Sequence, residues 1–263
     1  MENRRLLDTL AAAWAEILGV SPPEHAAEAN PELVEFAKTA FDGKTADRIF
    51  LYNPDAIGQW LDEKYPEYIS EVTARTRLTL PLCSPMPPKT PVCFGTMYTG
   101  AQPEVHGIQK YEKPVITIDT LFDALIRAGK KPAIVSYGKA SMSHIFNERD
   151  MDYFFFEDIS QVNAKAAQLI IEDRHDVIVV YNGNYDANVH DYGPEDPHTL
   201  GELRINAHIF GMFQELIRTN WKHHRTLLGF CPDHGCHLVR PGKGSHGLDI
   251  PEDREIFHFY DAL

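Results

Sequence analysis

The chain has 263 residues, 43% of them hydrophobic and 24% charged, with a formal net charge of −13. That length suits one large globular domain, and no apolar run approaches the roughly 18 residues that a membrane span needs. An acidic chain without clustered Lys and Arg excludes a nucleic-acid polymer as main partner, because binding a phosphate backbone rests on dense positive charge.

Residues 1–45 read as a helical N-terminal extension packed on a core formed by 46–263. "NRRLLDTLAAAWAEIL" has the pattern of an amphipathic helix, and Asp8, Trp14 and Glu16 interrupt it too often for a secretory signal. "NPELVEFAKTAF" opens with an Asn cap and Pro at the first helical position. "DRIFLYN" then reads as a strand, with Asp55 just past its end. "TRLTLPL" is a second strand and "PVCFGTMYTG" a helix closed by Gly100, with Thr90 in the N-cap position. "TIDTLFDALIRAGK" is a helix stopped by Gly129. "PAIVSYG", "MDYFFFE" and "HDVIVVYNG" are strands, with "SQVNAKAAQLIIEDR" a helix before the last. A long helix over about Thr199–Thr219 precedes the strand "RTLLGFC", and "REIFHFY" is a strand near the end. Such alternation predicts an α/β fold with a mostly parallel central sheet and helices on both faces. Ligands of such sheets gather beyond the carboxyl ends of the strands.

The chemistry-bearing residues fall at those ends. Asp55 follows one strand. Asp186 and His190 stand in "YDANVHDYG", in the loop after "DVIVVYNGN". Asp233 and His234 follow an apolar strand in "CPDHG", where Gly235 supplies the freedom to turn. His246 sits between glycines in "GKGSHG", which admits close approach of the backbone. Thr90 sits at a helix N-terminus, where free N–H groups and the helix dipole favour an anion. Carboxylate oxygen and imidazole nitrogen are ordinary ligands of zinc. Singly, each stretch suits a cap, a turn or a surface loop. Together they offer three Asp, three His and one Thr, enough for two metal ions with a nucleophile between them. His198, His208 and Asp191 read as surface residues. Cys83, Cys93, Cys231 and Cys236 lack CxxC spacing and read as reduced thiols of a cytoplasmic protein.

The ordered set from Asp55 through "PPKTPVCFGTMYTGAQPEVHGI", "DANVH" and "PDHG" to "GSHG" resembles the alkaline phosphatase superfamily. Within it, the type I phosphodiesterase and nucleotide pyrophosphatase branch is most similar. The resemblance runs from about Ile49 to Leu263, and Pro87–Ile108 is its most specific part. It implies an alkaline-phosphatase-like core in which Thr90 is the nucleophile and becomes transiently phosphorylated. Asp186, His190 and His246 would hold one divalent ion. Asp55, Asp233 and His234 would hold the other, with the Thr90 oxygen beside it. Zinc is the expected metal, with manganese or iron as alternatives. His106, in the matching segment, is expected to be structural.

The sequence departs from that branch in two ways. Where the branch has an Asn that holds a phosphoryl oxygen, this chain reads "HGIQKYEKP". Tyr111 stands at the matching spacing and could donate one hydrogen bond, whereas Lys110 would favour a more anionic group. Only residues 235–245 separate His234 from His246, so no large cap domain is expected and a mutase is disfavoured. The resulting expectation is a metal-dependent hydrolase of a phosphodiester or nucleotide pyrophosphate, acting on a small phosphorylated substrate. The alternatives are a phosphomonoester or phosphonate hydrolase, and a catalytically silent metal-binding protein. No GxGxxG follows a strand, which removes a dinucleotide-dependent oxidoreductase. The N-terminal helices suit either a partial lid or a homo-oligomer contact.

Overall fold

Alternating apolar side chains along the central strands decide which face each residue serves. In β2 (Arg48–Pro54), Ile49 and Leu51 enter the core layer on one face, while Phe50 and Tyr52 enter the layer on the other. A strand buried on both sides is apolar throughout, the mark of a covered parallel sheet. β6 (Val177–Asn182) repeats the division, Val177 and Val179 against Ile178 and Val180.

The computed structural model describes residues 4–263. The remaining strands are β1 (Arg5–Leu6), β3 (Leu78–Cys83), β4 (Pro132–Tyr137), β5 (Asp152–Phe156), β7 (Thr226–Phe230), β8 (His237–Arg240), β9 (Lys243–Ser245) and β10 (Glu255–Ala262). Eight form one sheet in the order β1-β3-β10-β7-β2-β6-β4-β5, and β8 pairs with β9 in a separate hairpin. Every pairing in the large sheet is parallel except those of β10, which runs antiparallel to β3 and β7.

One face is covered by α1 (Thr9–Leu18), α2 (Pro31–Ala40), α5 (Thr90–Thr99), α7 (Leu121–Arg127) and α8 (Ser141–Ile145). The other carries α3 (Gln59–Lys64), α4 (Pro66–Thr73), α9 (Ile159–Glu172), α10 (Asn184–Tyr192) and α11 (Pro197–Asn220). Two single-turn helices, α6 (Pro103–His106) and α12 (Pro251–Arg254), complete the set. The fold is thus the expected α/β sandwich. Among the described residues the chain from α5 to β6 stays within the sheet and its helical layers, and no cap domain is inserted.

Several local expectations are corrected. The first helix begins at Thr9, and Arg5–Leu6, expected to be helical, pairs with β3 at the sheet edge. Only Glu16 of α1 is exposed, because α2, α5 and α7 pack around it. Residues 1–3 of the expected extension lie outside the described range, and α1 packs into the core layer of one sheet face. α7 starts only at Leu121, fixed by a capping box between Thr120 and Asp123. Asp186 and His190 lie on α10 rather than in a loop: that helix is polar and buries only Tyr185 and Val189, so it shows no apolar stripe. α3, α4 and the β8–β9 hairpin carry no strong signal in the sequence.

Candidate metal centre

The carboxyl ends of β2, β6 and β7 lie side by side, and the chain leaving each of them bends over the sheet edge. Asp55 directly follows β2, α10 begins two residues after β6, and Asp233 and His234 follow β7. Asp186 and His190 are one helical turn apart, so they share a face of α10, with His190 Nε2 3.4 Å from Asp186 Oδ1. His246 arrives from the end of β9 and places its Nε2 3.5 Å from the same oxygen. Asp186, His190 and His246 form one group whose ligand atoms lie within 4.8 Å of one another, and Asp55, Asp233 and His234 form a second. The groups abut, with the rings of His234 and His246 stacked at 4.0 Å between centroids.

Thr90 stands against the second group. α5 begins at Thr90 itself, with Lys89 in the cap position and no side-chain capping bond, so the expected N-cap role is not the one the residue takes. Its Oγ1 lies 3.3 Å from His234 Nε2 and 3.5 Å from Asp55 Oδ2. Every residue of α5 is buried, which holds the helix start in place.

The hydrogen bonds around the imidazoles decide what the centre can bind. His234 Nδ1 faces the carbonyl of Gly235 at 2.9 Å, and His246 Nδ1 faces that of Pro88 at 2.9 Å. A carbonyl only accepts, so both Nδ1 atoms carry the proton and both Nε2 atoms present a lone pair. The Nε2 of His234 faces Asp55 Oδ1 and Asp233 Oδ2, each at 3.4 Å. Those two oxygens and Asp186 Oδ1 are buried without a hydrogen-bond partner. Lone pairs therefore face lone pairs in a buried pocket, an arrangement that a cation satisfies. The donor set of oxygen and imidazole nitrogen fits a divalent transition metal at each group.

Titration follows from burial. It raises Asp55 and Asp233 well above the usual carboxylate range, and each like charge raises a neighbour further, Asp186 acting on Asp55 and Asp55 on Asp233. Asp186 is pushed up to about 7, by burial first and by Asp233 next. Burial drives His234 well below its ordinary value and His246 to about 4, which keeps both rings neutral.

Neighbouring groups fix these side chains. Tyr181 donates its hydroxyl to Asp55 Oδ2. Ala56, at a left-handed φ of 63°, turns its N–H onto Asp233 Oδ1 at 3.3 Å. Ser84 donates to the Asp233 carbonyl at 2.7 Å, and His258 Nε2 meets the Pro232 carbonyl at 2.7 Å. Lys89 Nζ donates to the His246 carbonyl at 2.6 Å, tying the start of α5 to the third loop. Asp253 accepts from His237 Nδ1 at 2.7 Å and from Leu248 N at 2.8 Å, joining the loops that carry His234 and His246. Tyr181, Asp253 and His258 escaped the sequence reading, for a polar residue inside a strand or short helix carries no local signal of its partner. Gly235 proves to serve close packing rather than a turn, since a Cβ there would lie 2.1 Å from the Glu252 carbonyl oxygen. Gly247 fills the expected role: its φ is +118°, and Lys89 Cε lies 2.4 Å from where a Cβ would stand.

A cavity of about 680 Å³ opens over the centre, lined by Asp55, Thr90, Asp186, Tyr111 and Lys113 among others. Lys110 lies outside it, turned to Glu112 at 3.3 Å and 76% exposed. A larger groove of about 890 Å³ contains none of these groups, and its two arginines are already paired, Arg127 with Asp119 and Arg149 with Asp123. His106 is structural as expected, buried against Thr96 at 3.0 Å. His198, His208 and Asp191 are exposed. All four cysteines are buried and free, and none joins either group.

The fold is similar to that of ectonucleotide pyrophosphatase/phosphodiesterase 5. Murine ectonucleotide pyrophosphatase/phosphodiesterase 5 superposes with a TM-score of 0.61 at 15% identity over 73% of this chain. An inactive variant of it in complex with AMP gives 0.60 at 15% over 74%, and the human protein 0.58 at 14% over 73%. The chain spans 58% of the length of each of these structures. No protein-family model matches the sequence, and no curated protein matches it.

Proposed function

We propose that the chain is a metal-dependent phosphoryl-transfer hydrolase acting on a phosphodiester or nucleotide pyrophosphate. The observation that carries this reading is the set of three unpartnered carboxylate oxygens facing imidazole lone pairs around the Thr90 hydroxyl. Asp186, His190 and His246 would hold one divalent cation and Asp55, Asp233 and His234 the other, zinc being the best match to these donors. Bound there, the cations supply Lewis acidity and neutralise phosphoryl oxygens.

Thr90 Oγ1 is the nucleophile, its line of approach fixed by the buried α5 and by its contacts with His234 and Asp55. Attack on phosphorus forms a Thr90–phosphate ester and expels the leaving alcohol or phosphate, and water then cleaves that ester. Tyr181 holds Asp55 in place, and the two carbonyl-bound imidazoles keep their Nε2 atoms turned inward. Tyr111, on the cavity wall, would donate to a phosphoryl oxygen. The AMP complex of the murine protein of like fold supports a nucleotide-sized substrate.

The test is turnover of bis-p-nitrophenyl phosphate and p-nitrophenyl phosphate by zinc- and manganese-loaded protein. Metal-dependent diester cleavage that Thr90→Ala removes supports the proposal. Full activity in that variant would reject the nucleophile, and failure of the wild type to bind metal would reject the centre.

A further inference from the structure

The cavity wall carries two cations that the reading above does not use. Lys113 comes from the segment between α6 and α7, and Lys139 from the turn after β4, and both line the cavity that contains Asp55 and Thr90. Lys113 Nζ donates to the Lys139 carbonyl at 2.7 Å, which brings the two residues together. The same ammonium lies 5.4 Å from the centroid of the Tyr111 ring. Among the described residues neither lysine has a carboxylate within 4.0 Å, whereas Lys64, Lys110, Arg127 and Arg149 each do. In a chain of net charge −13, a pair of lysines left without carboxylates beside a cavity is an unspent resource for binding.

The acids on the cavity wall do not cancel it. Asp158 is engaged at the start of α9, accepting from Ser160 N at 2.6 Å. Glu157 and Glu202 also line the cavity, without an ion pair to either lysine. Lys113 is partly withdrawn from water, which pushes its pKa down, and the charge of Asp55 opposes that shift, so the ammonium and the centre lie within electrostatic reach.

We infer that Lys113 and Lys139 form an anion subsite that takes a second negatively charged group of the substrate. The inference rests on the hydrolase reading and deepens it: the substrate class is a phosphoryl compound that carries a second anionic group. The second group can be phosphoryl or carboxyl, since an ammonium pair recognises either by charge.

The test measures binding by calorimetry to zinc-loaded protein at fixed ionic strength. The probes are ethylphosphonate with one anionic group, methylenebisphosphonate with a second phosphonyl group, and 3-phosphonopropionate with a carboxyl. Wild type is expected to bind at least one of the two doubly anionic probes about tenfold or more tightly than ethylphosphonate, and the tighter of them identifies the second group. In the double variant Lys113→Gln, Lys139→Gln that ratio falls to near one, and Lys113→Arg, Lys139→Arg restores it. Equal affinity for all three probes in wild type, or a preference that survives the glutamine pair, overturns the subsite and leaves the hydrolase reading standing. Failure of zinc-loaded wild type to bind any probe overturns both.

Discussion

Asp233→Asn in the metal-free protein separates a metal centre from an ordinary buried ion pair. Asp233 is fully buried; its Oδ1 accepts from Ala56 N at 3.3 Å, and its Oδ2 has no hydrogen-bond partner. Its folded pKa lies well above 3.8, so the unfolded chain releases this proton readily and the folded chain, stripped of metal, retains it. The penalty on folding is small below 3.8 and grows as pH rises toward the raised folded value. At about 1.4 kcal/mol per pH unit, it is about 1 kcal/mol at pH 4.5 and larger at pH 7. Asparagine keeps the acceptor for Ala56 and removes the titration, so the variant gains up to that amount.

The assay is urea unfolding in EDTA at both pH values, then at pH 7 with zinc. Metal-free Asp233→Asn is expected to be the more stable protein at pH 7, with most of the gain lost at pH 4.5. With zinc about a thousandfold above its dissociation constant, wild type gains about 4 kcal/mol that the variant lacks, which offsets the variant's advantage. A variant less stable than wild type at pH 7 in EDTA would refute the reasoning. In that case Asp233 would be paired to a protonated His234, and its removal would leave a buried charge alone.

Metal affinity is expected to fall as pH drops below about 7, where Asp186 takes up a proton that an ion must displace, by up to about tenfold per pH unit. Competition titration with a chromophoric chelator from pH 8 to 6 measures it, and a flat profile would exclude Asp186 as a ligand. Asp253→Asn forces an NH₂ group against a donor, because both carboxylate oxygens already accept. The expected cost is about 1–3 kcal/mol in urea unfolding, together with about a tenfold to hundredfold loss of metal affinity. Gly235→Ala drives a Cβ into the Glu252 carbonyl oxygen, a backbone atom that cannot swing aside. A loss of about 3 kcal/mol or more is expected, and a neutral result would mean that the 251–254 turn yields freely.

The fold was legible because its information is periodic. Long apolar strands such as Val177–Asn182 and a 24-residue helix such as α11 declare themselves in any window. α10 hides because two buried residues make no stripe, and β1 because a pairing of two residues has no pattern at all. All seven residues picked for the metal groups and nucleophile are gathered at one site, because strand ends beside one another in the sheet converge whatever their distance in sequence.

What the sequence could not disclose is which neighbours hold the site. Asp253 reaches His237 and Leu248 across a fold that is not visible along the chain, and Lys113 meets Lys139 from a separate segment. The reading of the "HGIQKYEKP" segment shows the difference. The resemblance offered Lys110 or Tyr111 as the group that meets a phosphoryl oxygen, and Tyr111 does line the cavity. Lys110 is drawn outward by Glu112, and the cation on the cavity wall comes from Lys113, three residues on in an irregular segment. In a helix that step would have kept the same face. In an irregular segment nothing fixes the period, so only the tertiary path decides which lysine lines the cavity.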